Sequence, residues 1–485
     1  MDSRALESRD ADMIERREIL DMATRMSLTP HVVEKDYVLG WMLAGISAHD
    51  ALRDSWLFKG GTCLKKCFFE TYRFSEDLDF TLTDASHLDE EFLKQTFSEI
   101  GDWIYERTGI EIPAEKQAFD IYTNPRGSTS CQGKISYRGP IAPRDLPRIK
   151  LDLTADERIV LAPNRVSVFH PYTDAPEEGI DVLAYAYEEL FGEKVRALAE
   201  RTRPRDLYDV VNLFRNGEAL PSPSVLLDVL RQKCEFKGIN VPVLADLEEH
   251  RGELENLWQS MLAHQLPILP PYENFWEELP AFFEWLAGGA APVIPARYAV
   301  GAGEVVLRAR DMRLPVSGQA QSMIEIIRFA AGNRLLVELD YQGSTRRIEP
   351  YSLRRTQDGN IVLHAWNTDK NEHRSYRLDR MQGARVTNRS FVPRYAIELG
   401  PEGPVQVSAS SARPQSYTPR APQIRPTRAP TRRSTGFGQP VHIYQCPVCN
   451  KKFRRRTHDS QLNPHKNDWG GQCSGRRGFF VETKY

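Results

Sequence analysis

The chain has 485 residues, 41% of them hydrophobic and 27% charged. This is the make-up of a globular protein of two to four domains, not of a disordered or fibrous chain. No stretch reaches the roughly 18 consecutive apolar residues of a membrane helix. The opening Met-Asp-Ser-Arg-Ala-Leu-Glu has no apolar core of a secretory signal, so a cytosolic protein is expected. The net charge of −2 hides an asymmetry: residues 401–485 carry 15 Lys/Arg against 4 Asp/Glu, leaving an acidic body and a basic tail. Such a tail reads as a polyanion-binding appendage, or as a solvated charged segment.

Apolar positions Ile14, Ile19, Leu20 and Met22, continued from Val32 to Ile46, predict helices over residues 1–55. Residues 56–82 read as strand, glycine turn, short helix and strand, with a helix following at about 88–108. Residues 148–154 form a second alternating strand, Ile149, Leu151 and Leu153 on one face and Lys150, Asp152 and Thr154 on the other. Residues 182–214 read as two helices split at Thr202-Arg203-Pro204, because proline opens a helix more readily than it continues one. Residues 223–287 look helical and end in Gly288-Gly289-Ala-Ala-Pro292, a linker composition.

A second unit begins near Ile324. Alternation over 335–341 and 361–366, with turns at Gln342-Gly343 and Asp358-Gly359, predicts a small β-domain. Residues 400–440 are rich in Pro, Ser, Thr and Arg and read as a flexible linker. Cys63, Cys67, Cys131 and Cys234 are scattered and read as small buried hydrophobes, whereas Cys446, Cys449 and Cys473 cluster at the end.

The chemistry-bearing stretch is Lys59-Gly60-Gly61-Thr62, followed by Arg73-Phe-Ser-Glu-Asp77-Leu-Asp79-Phe. On a strand, Asp77 and Asp79 share one face while Leu78, Phe80 and Leu82 share the other. Paired carboxylates repel each other unless a cation lies between them, and magnesium is the usual cation beside nucleotides. Asp152 supplies a third carboxylate. A glycine turn leading into a helix lets backbone N–H groups approach phosphate. These parts are what nucleotidyl transfer needs: a triphosphate cradle, two divalent ions and a positioned acceptor oxygen. Lys59 and Arg73 flank the turn and the acid pair, suited to phosphate or acceptor RNA and equally to pairing with Glu34 or Glu76.

With Glu34-Lys35-Asp36-Tyr37 upstream, and Glu193-Lys194-Val-Arg196 and Arg201 through Arg205-Asp206-Leu-Tyr-Asp209 downstream, residues 25–285 resemble the AbiEii/AbiGii toxin family of nucleotidyltransferases. The resemblance implies an α+β fold, with a polymerase-beta-like mixed sheet and a helical C-terminal half. It implies Mg2+ at Asp77, Asp79 and Asp152, and Thr62 in the place often held by serine. It implies Lys194 on the triphosphate, and Asp209 near the acceptor or holding the active-site helices. Glu34 and Lys35 would support the site. NTP is the implied substrate, RNA such as a tRNA 3′ end the acceptor, and an AbiEi-type antitoxin the partner. From the residues alone, Lys194 could equally be an exposed helix lysine, and Asp206 or Asp209 could pair with Arg203 or Arg205.

Residues 323–395 resemble a WYL domain, through Ile327 to Tyr341, Arg347-Ile-Glu-Pro350 and Arg374-Ser-Tyr-Arg377-Leu-Asp379-Arg380. This implies a small Sm-like β-barrel that senses a nucleotide or nucleic acid. The Trp-Tyr-Leu signature itself is replaced by Ile361-Val-Leu363. Arg347, Arg374, Arg377 and Arg380 are then anion contacts or rim ion pairs.

At the end of the chain, Cys446-Pro-Val-Cys449 with His465 and Cys473 matches a tetrahedral structural zinc site, His458 being the competing fourth ligand. So small a unit needs such a metal to fold. Lys451, Lys452, Phe453, Arg454, Arg455 and Arg456 could hold a nucleic-acid backbone while Phe453 stacks on a base. The expected organisation is therefore a nucleotidyltransferase domain over 1–287, a linker over 288–322, the WYL-like barrel over 323–399, a linker over 400–440 and the zinc-binding basic tail over 441–485.

Overall fold

The computed structural model describes residues 14–26, 28–68, 73–124, 127–141, 145–216, 219–290, 295–299, 301, 303–307, 318–399, 441–446, 451–455, 461, 462, 465, 473 and 479–484. The chain divides into two compact units, Met1–Val407 and Ser408–Tyr485.

Helices α1 (Arg16–Met26) and α2 (Pro30–Ala48) open the first unit, and Pro30 starts α2 where a missing N–H does no harm. Strand β1 (Trp56–Lys59) turns at Gly60 into the short helix α3 (Gly60–Cys63) and a π turn over Leu64–Phe68. Strand β2 (Asp77–Leu82) returns antiparallel to β1. Asp89 caps helix α4 (Glu90–Thr108) through the Phe92 N–H at 2.9 Å, and Gly109 ends it. Strands β3 (Gln117–Thr123), β4 (Thr129–Ser136), β5 (Arg148–Thr154), β6 (Asn164–Ser167) and β7 (Asp181–Ala184) complete a seven-stranded sheet of order β3-β4-β5-β2-β1-β7-β6. The sheet is mixed: β2–β5 and β1–β7 pair in parallel, the other ladders antiparallel.

The alternation seen in the sequence decides which way each strand faces. Leu78, Phe80, Leu82, Ile149, Leu151 and Leu153 are each 2% exposed or less. Burying one such side chain contributes about 1.5–3 kcal/mol, so the opposite, carboxylate-bearing face is left toward the pocket. A one-residue slip of either strand would exchange the two faces.

Helices α5 (Tyr187–Arg201) and α6 (Pro204–Arg215) follow. The expected helical span from 182 begins instead with β7, since a short apolar run such as Val-Leu-Ala serves either element. Thr202 takes the left-handed conformation at φ 43° and closes α5, and Pro204 then opens α6. The helical half continues through α7 (Pro223–Lys237), α8 (Leu244–Glu248), α9 (Arg251–Leu262), α10 (Glu273–Trp276) and α11 (Leu279–Leu286).

The β-domain packs within the same unit. After β8 (Val305–Val306) and α12 (Gly318–Gly332) come β9 (Leu335–Tyr341), β10 (Ser344–Arg355), β11 (Ile361–Asn367), β12 (Glu372–Arg377) and β13 (Met381–Ser390). They form an antiparallel sheet of order β12-β11-β10-β9-β13, with β8 on β10. Three register shifts, in the β10–β11 and β9–β13 ladders, mark bulges, which bend a sheet toward closure. Gln342 and Gly343 both have positive φ, as a two-residue hairpin turn requires. This domain is docked on the N-terminal helix and on the helical half: α1 packs on α12, Tyr208 donates to Asn333 at 2.9 Å, and Glu278 bridges Arg215 and Arg334.

The second unit has a three-stranded sheet, β15-β14-β16, from β14 (Val441–Gln445), β15 (Lys452–Arg455) and β16 (Phe479–Lys484).

Candidate active site

Register brings the acidic residues together. Lys59 lies opposite Asp79 across β1–β2, and Asp79 lies opposite Asp152 across β2–β5, so the three share a row on one face. Asp77 stands two residues along the same face of β2. All four line a pocket of about 320 Å³, with Gly60, Gly61, Arg73 and Lys194 also in its wall. Gly60 sits at φ 82°, and a Cβ there would collide with the Asp79 carboxylate. Glycine is thus required twice over, by its dihedral and by the approach of the turn to the acid.

None of the three carboxylates has an ion-pair partner among the described residues. Burial and the neighbouring carboxylates of Asp152 and Asp77 push Asp79 up to about 6. Burial and Asp77 likewise raise Asp152, although Gln132 hydrogen-bonds to it. Two acids raised first by burial and then by neighbouring carboxylates fit a divalent cation, whose charge opposes both effects.

The helical wall is organised around Asp209. Its carboxylate is fully buried, accepts from Arg73 at 2.8 and 2.9 Å, and lies 2.6 Å from Lys194 Nζ. Burial alone would raise this acid, but Arg73 and Lys194 hold it well below the usual carboxylate range. Asp206 is bound by Arg201 at 2.7 Å and faces Lys194 at 3.6 Å. Asp209 therefore holds β2's approach segment to α5 and α6, and it does not line the pocket. The sequence-local pairing of Asp206 or Asp209 with Arg203 or Arg205 does not occur.

Lys59 belongs to a second charge network. Glu157 lies 3.6 Å and Glu193 3.9 Å from its Nζ. Glu193 also meets Lys233 at 3.1 Å, and Glu157 meets Lys237 at 3.0 Å. Burial would depress the Lys59 ammonium, yet Glu193, Glu157 and Asp79 together raise it. Glu157, Lys233 and Lys237 carry no local signal in the sequence, because their partners come from distant elements.

Thr62 is buried, and its hydroxyl donates to the Asp77 carbonyl. It clips the turn to β2 and is not in the pocket wall. Lys35 pairs with Glu76 at 2.6 Å, beside Asp77, and Glu34 accepts the Ile141 N–H at 2.6 Å. Neither Lys59 nor Arg73 takes those two acids as its pair.

With this geometry in view, the chain can be set beside known proteins. The model for the nucleotidyl transferase AbiEii toxin of type IV toxin–antitoxin systems matches residues 41–287, just over half the length. The chain belongs to the AbiEii toxin family. It is a toxin-type nucleotidyltransferase. A WYL domain model matches residues 322–386. Among solved structures, MenT4, a nucleotidyltransferase toxin from Mycobacterium tuberculosis H37Rv, is similar at TM-score 0.37 and 17% identity, over 57% of this chain and 91% of that one. Proteasome accessory factor B/C of Arthrobacter aurescens gives TM-score 0.15 and 12% identity, over 80% of this chain and 75% of that one. No curated protein matches the chain. No described helix is long and apolar enough to cross a membrane.

In the second unit, ligand atoms of Cys446, His465 and Cys473 all lie within 4.8 Å of one another. The sulfurs of Cys446 and Cys473 are 3.7 Å apart. That is far beyond a disulfide, and close to the roughly 3.8 Å that two Zn–S bonds of about 2.3 Å subtend at a tetrahedral angle. The three aspartates are not gathered this tightly. Phe453 is half-buried with its ring edge-on to His465 at 4.7 Å, so it helps cover the cluster. Lys451 and Lys452 are exposed. Cys449 and Arg456 lie outside the described residues, as do the side chains of Arg454 and Arg455.

Proposed function

We propose that this protein transfers a nucleoside monophosphate from an NTP to an RNA acceptor, a tRNA 3′ end being the class the family resemblance implies. A ribose hydroxyl oxygen forms a bond to the α-phosphorus, the α–β bridging P–O bond breaks, and pyrophosphate leaves. The observation that carries the reading is the row of unpaired carboxylates, Asp77, Asp79 and Asp152, beside the Gly60 turn.

These three residues would hold two magnesium ions, which when bound supply positive charge to the phosphate oxygens. The Gly60-Gly61 turn lets the backbone approach the phosphates, with Lys59 next to it as a cation fixed by Glu157 and Glu193. Arg73 and Lys194 give the opposite wall its charge, and Asp209 keeps both from swinging away. The Cys446, His465 and Cys473 cluster would hold structural zinc with Cys449, and the basic tail would raise the local concentration of RNA. An AbiEi-type antitoxin would be the partner, and the WYL-like sheet would take a nucleotide or nucleic-acid ligand.

Incubation of the purified chain with Mg2+, α-labelled NTPs and total RNA tests this. Label is expected on RNA, falling by about 10²–10³-fold or more in Asp79→Asn. Label on protein alone would favour a protein acceptor. Absence of any label together with tight DNA binding would favour a non-catalytic regulator.

A further inference from the structure

Most charges of the pocket wall are accounted for by the ion pairs already described, and two groups are not. At the sheet end, the three aspartates have no ion pair among the described residues, with Lys59 and Lys194 near enough only to moderate Asp79. At the helix end, Arg203 and Arg205 line the same pocket and have no hydrogen-bond or ion-pair partner among the described residues. The acids closest to them in sequence are already committed: Asp206 to Arg201 and Lys194, Asp209 to Arg73 and Lys194. Arg196, a further cation of the wall, is paired with Glu200.

The two sets of charges line one pocket from different elements and form no ion pair with each other. The acids stand on paired strands, and the arginines flank Pro204 at the first turn of α6. Arg203 is exposed at the pocket mouth, whereas Arg205 is half-buried, and burial with the Arg73 charge lowers its pKa although Asp77, Asp206 and Asp209 oppose this. A cation so placed is unfavourable until an anion joins it. The ligand that satisfies both poles carries divalent metal at one end and free phosphate oxygens at the other. Arginine's planar fork suits those oxygens better than an ammonium does.

We propose that Arg203 and Arg205 form a phosphate-binding subsite of this pocket, an inference that rests on the nucleotidyl-transfer reading. The phosphate comes either from the polyphosphate tail of the nucleotide or from the backbone of the acceptor.

Calorimetric titration of the full-length chain with inorganic tripolyphosphate and Mg2+ tests the subsite without any transfer reaction. Wild type is expected to bind, and the Arg203→Ala/Arg205→Ala double variant to bind about tenfold more weakly or worse. Arg205→Lys keeps the charge and is expected to recover part of the loss, which separates anion binding from misfolding. In transfer assays, a raised KM for NTP with an unchanged KM for RNA assigns the subsite to the nucleotide, and the reverse assigns it to the acceptor. Equal tripolyphosphate affinity in wild type and double variant, or no binding by wild type, overturns the proposal. Weakened binding in the variant of a chain that transfers nothing would leave the subsite standing and remove the transfer reading.

Discussion

Arginines in the pocket and arginines on the β-domain live under different rules. On the β-domain, Arg347 is 2.6 Å from Asp369, Arg374 is 2.5 Å from Glu372 and Arg377 is 2.7 Å from Asp379. Each of these arginines is at least about a third exposed and has its acid on the same or a neighbouring turn or strand. In the pocket, Arg73 is bound to a fully buried acid, and Arg203 and Arg205 are bound to none among the described residues. The density of basic residues in the two regions is therefore a poor guide to where an anion goes. What distinguishes them is whether the nearest carboxylates are already committed elsewhere.

The largest expected effect is at the buried pair. Asp209→Ala leaves Arg73 and Lys194 buried without their acid, and should cost about 3–5 kcal/mol, read by urea unfolding of the first unit. Its native pKa is depressed, so its contribution to stability is present above the ordinary carboxylate pKa and is lost as pH falls below that value. Asp79 behaves oppositely. With its native pKa raised to about 6, proton uptake favours the metal-free fold, which gains stability as pH drops from about 6 toward the ordinary 3.8. Mg2+ competes with that proton, so Mg2+ affinity should be flat above pH 7 and decline as pH falls through about 6. An affinity flat down to pH 5 would remove Asp79 from the metal site.

In the tail, a strong chelator should release about one zinc per chain by elemental analysis and abolish the ordered signals of the second unit. The first unit should keep its unfolding transition. The smallest effect is expected on the β-domain rim. Arg374→Ala should change stability by about 0–1 kcal/mol and leave transfer activity unchanged. A large loss of RNA binding in that variant would break the contrast between the two regions.

How much of this was legible in the sequence depended on the range of the interaction. The row of aspartates could be read because a strand repeats every two residues and its apolar face was unambiguous. The break between α5 and α6 could be read because proline and its preceding residue restrict the backbone locally. Strands β3 and β4 went unassigned, since Gly133 interrupts one and Asp120, Tyr122 and Thr123 give the other little contrast. Pairing was the hardest to read. Sequence proximity points Asp206 and Asp209 toward Arg203 and Arg205. The fold instead brings Arg73 to Asp209 from 136 residues away, and Lys194 from α5. Thr62 reads as part of the phosphate cradle in the sequence, whereas its hydroxyl donates to the Asp77 carbonyl, a partner fifteen residues away.

The most direct trial is anomalous diffraction from crystals of the full-length chain soaked with Mn2+ and a non-hydrolysable NTP analogue. Manganese peaks are expected between Asp77, Asp79 and Asp152, with the analogue's phosphates reaching from them toward the Gly60 turn. Nucleotide bound with no metal at these carboxylates, or metal confined to other residues, would contradict the account.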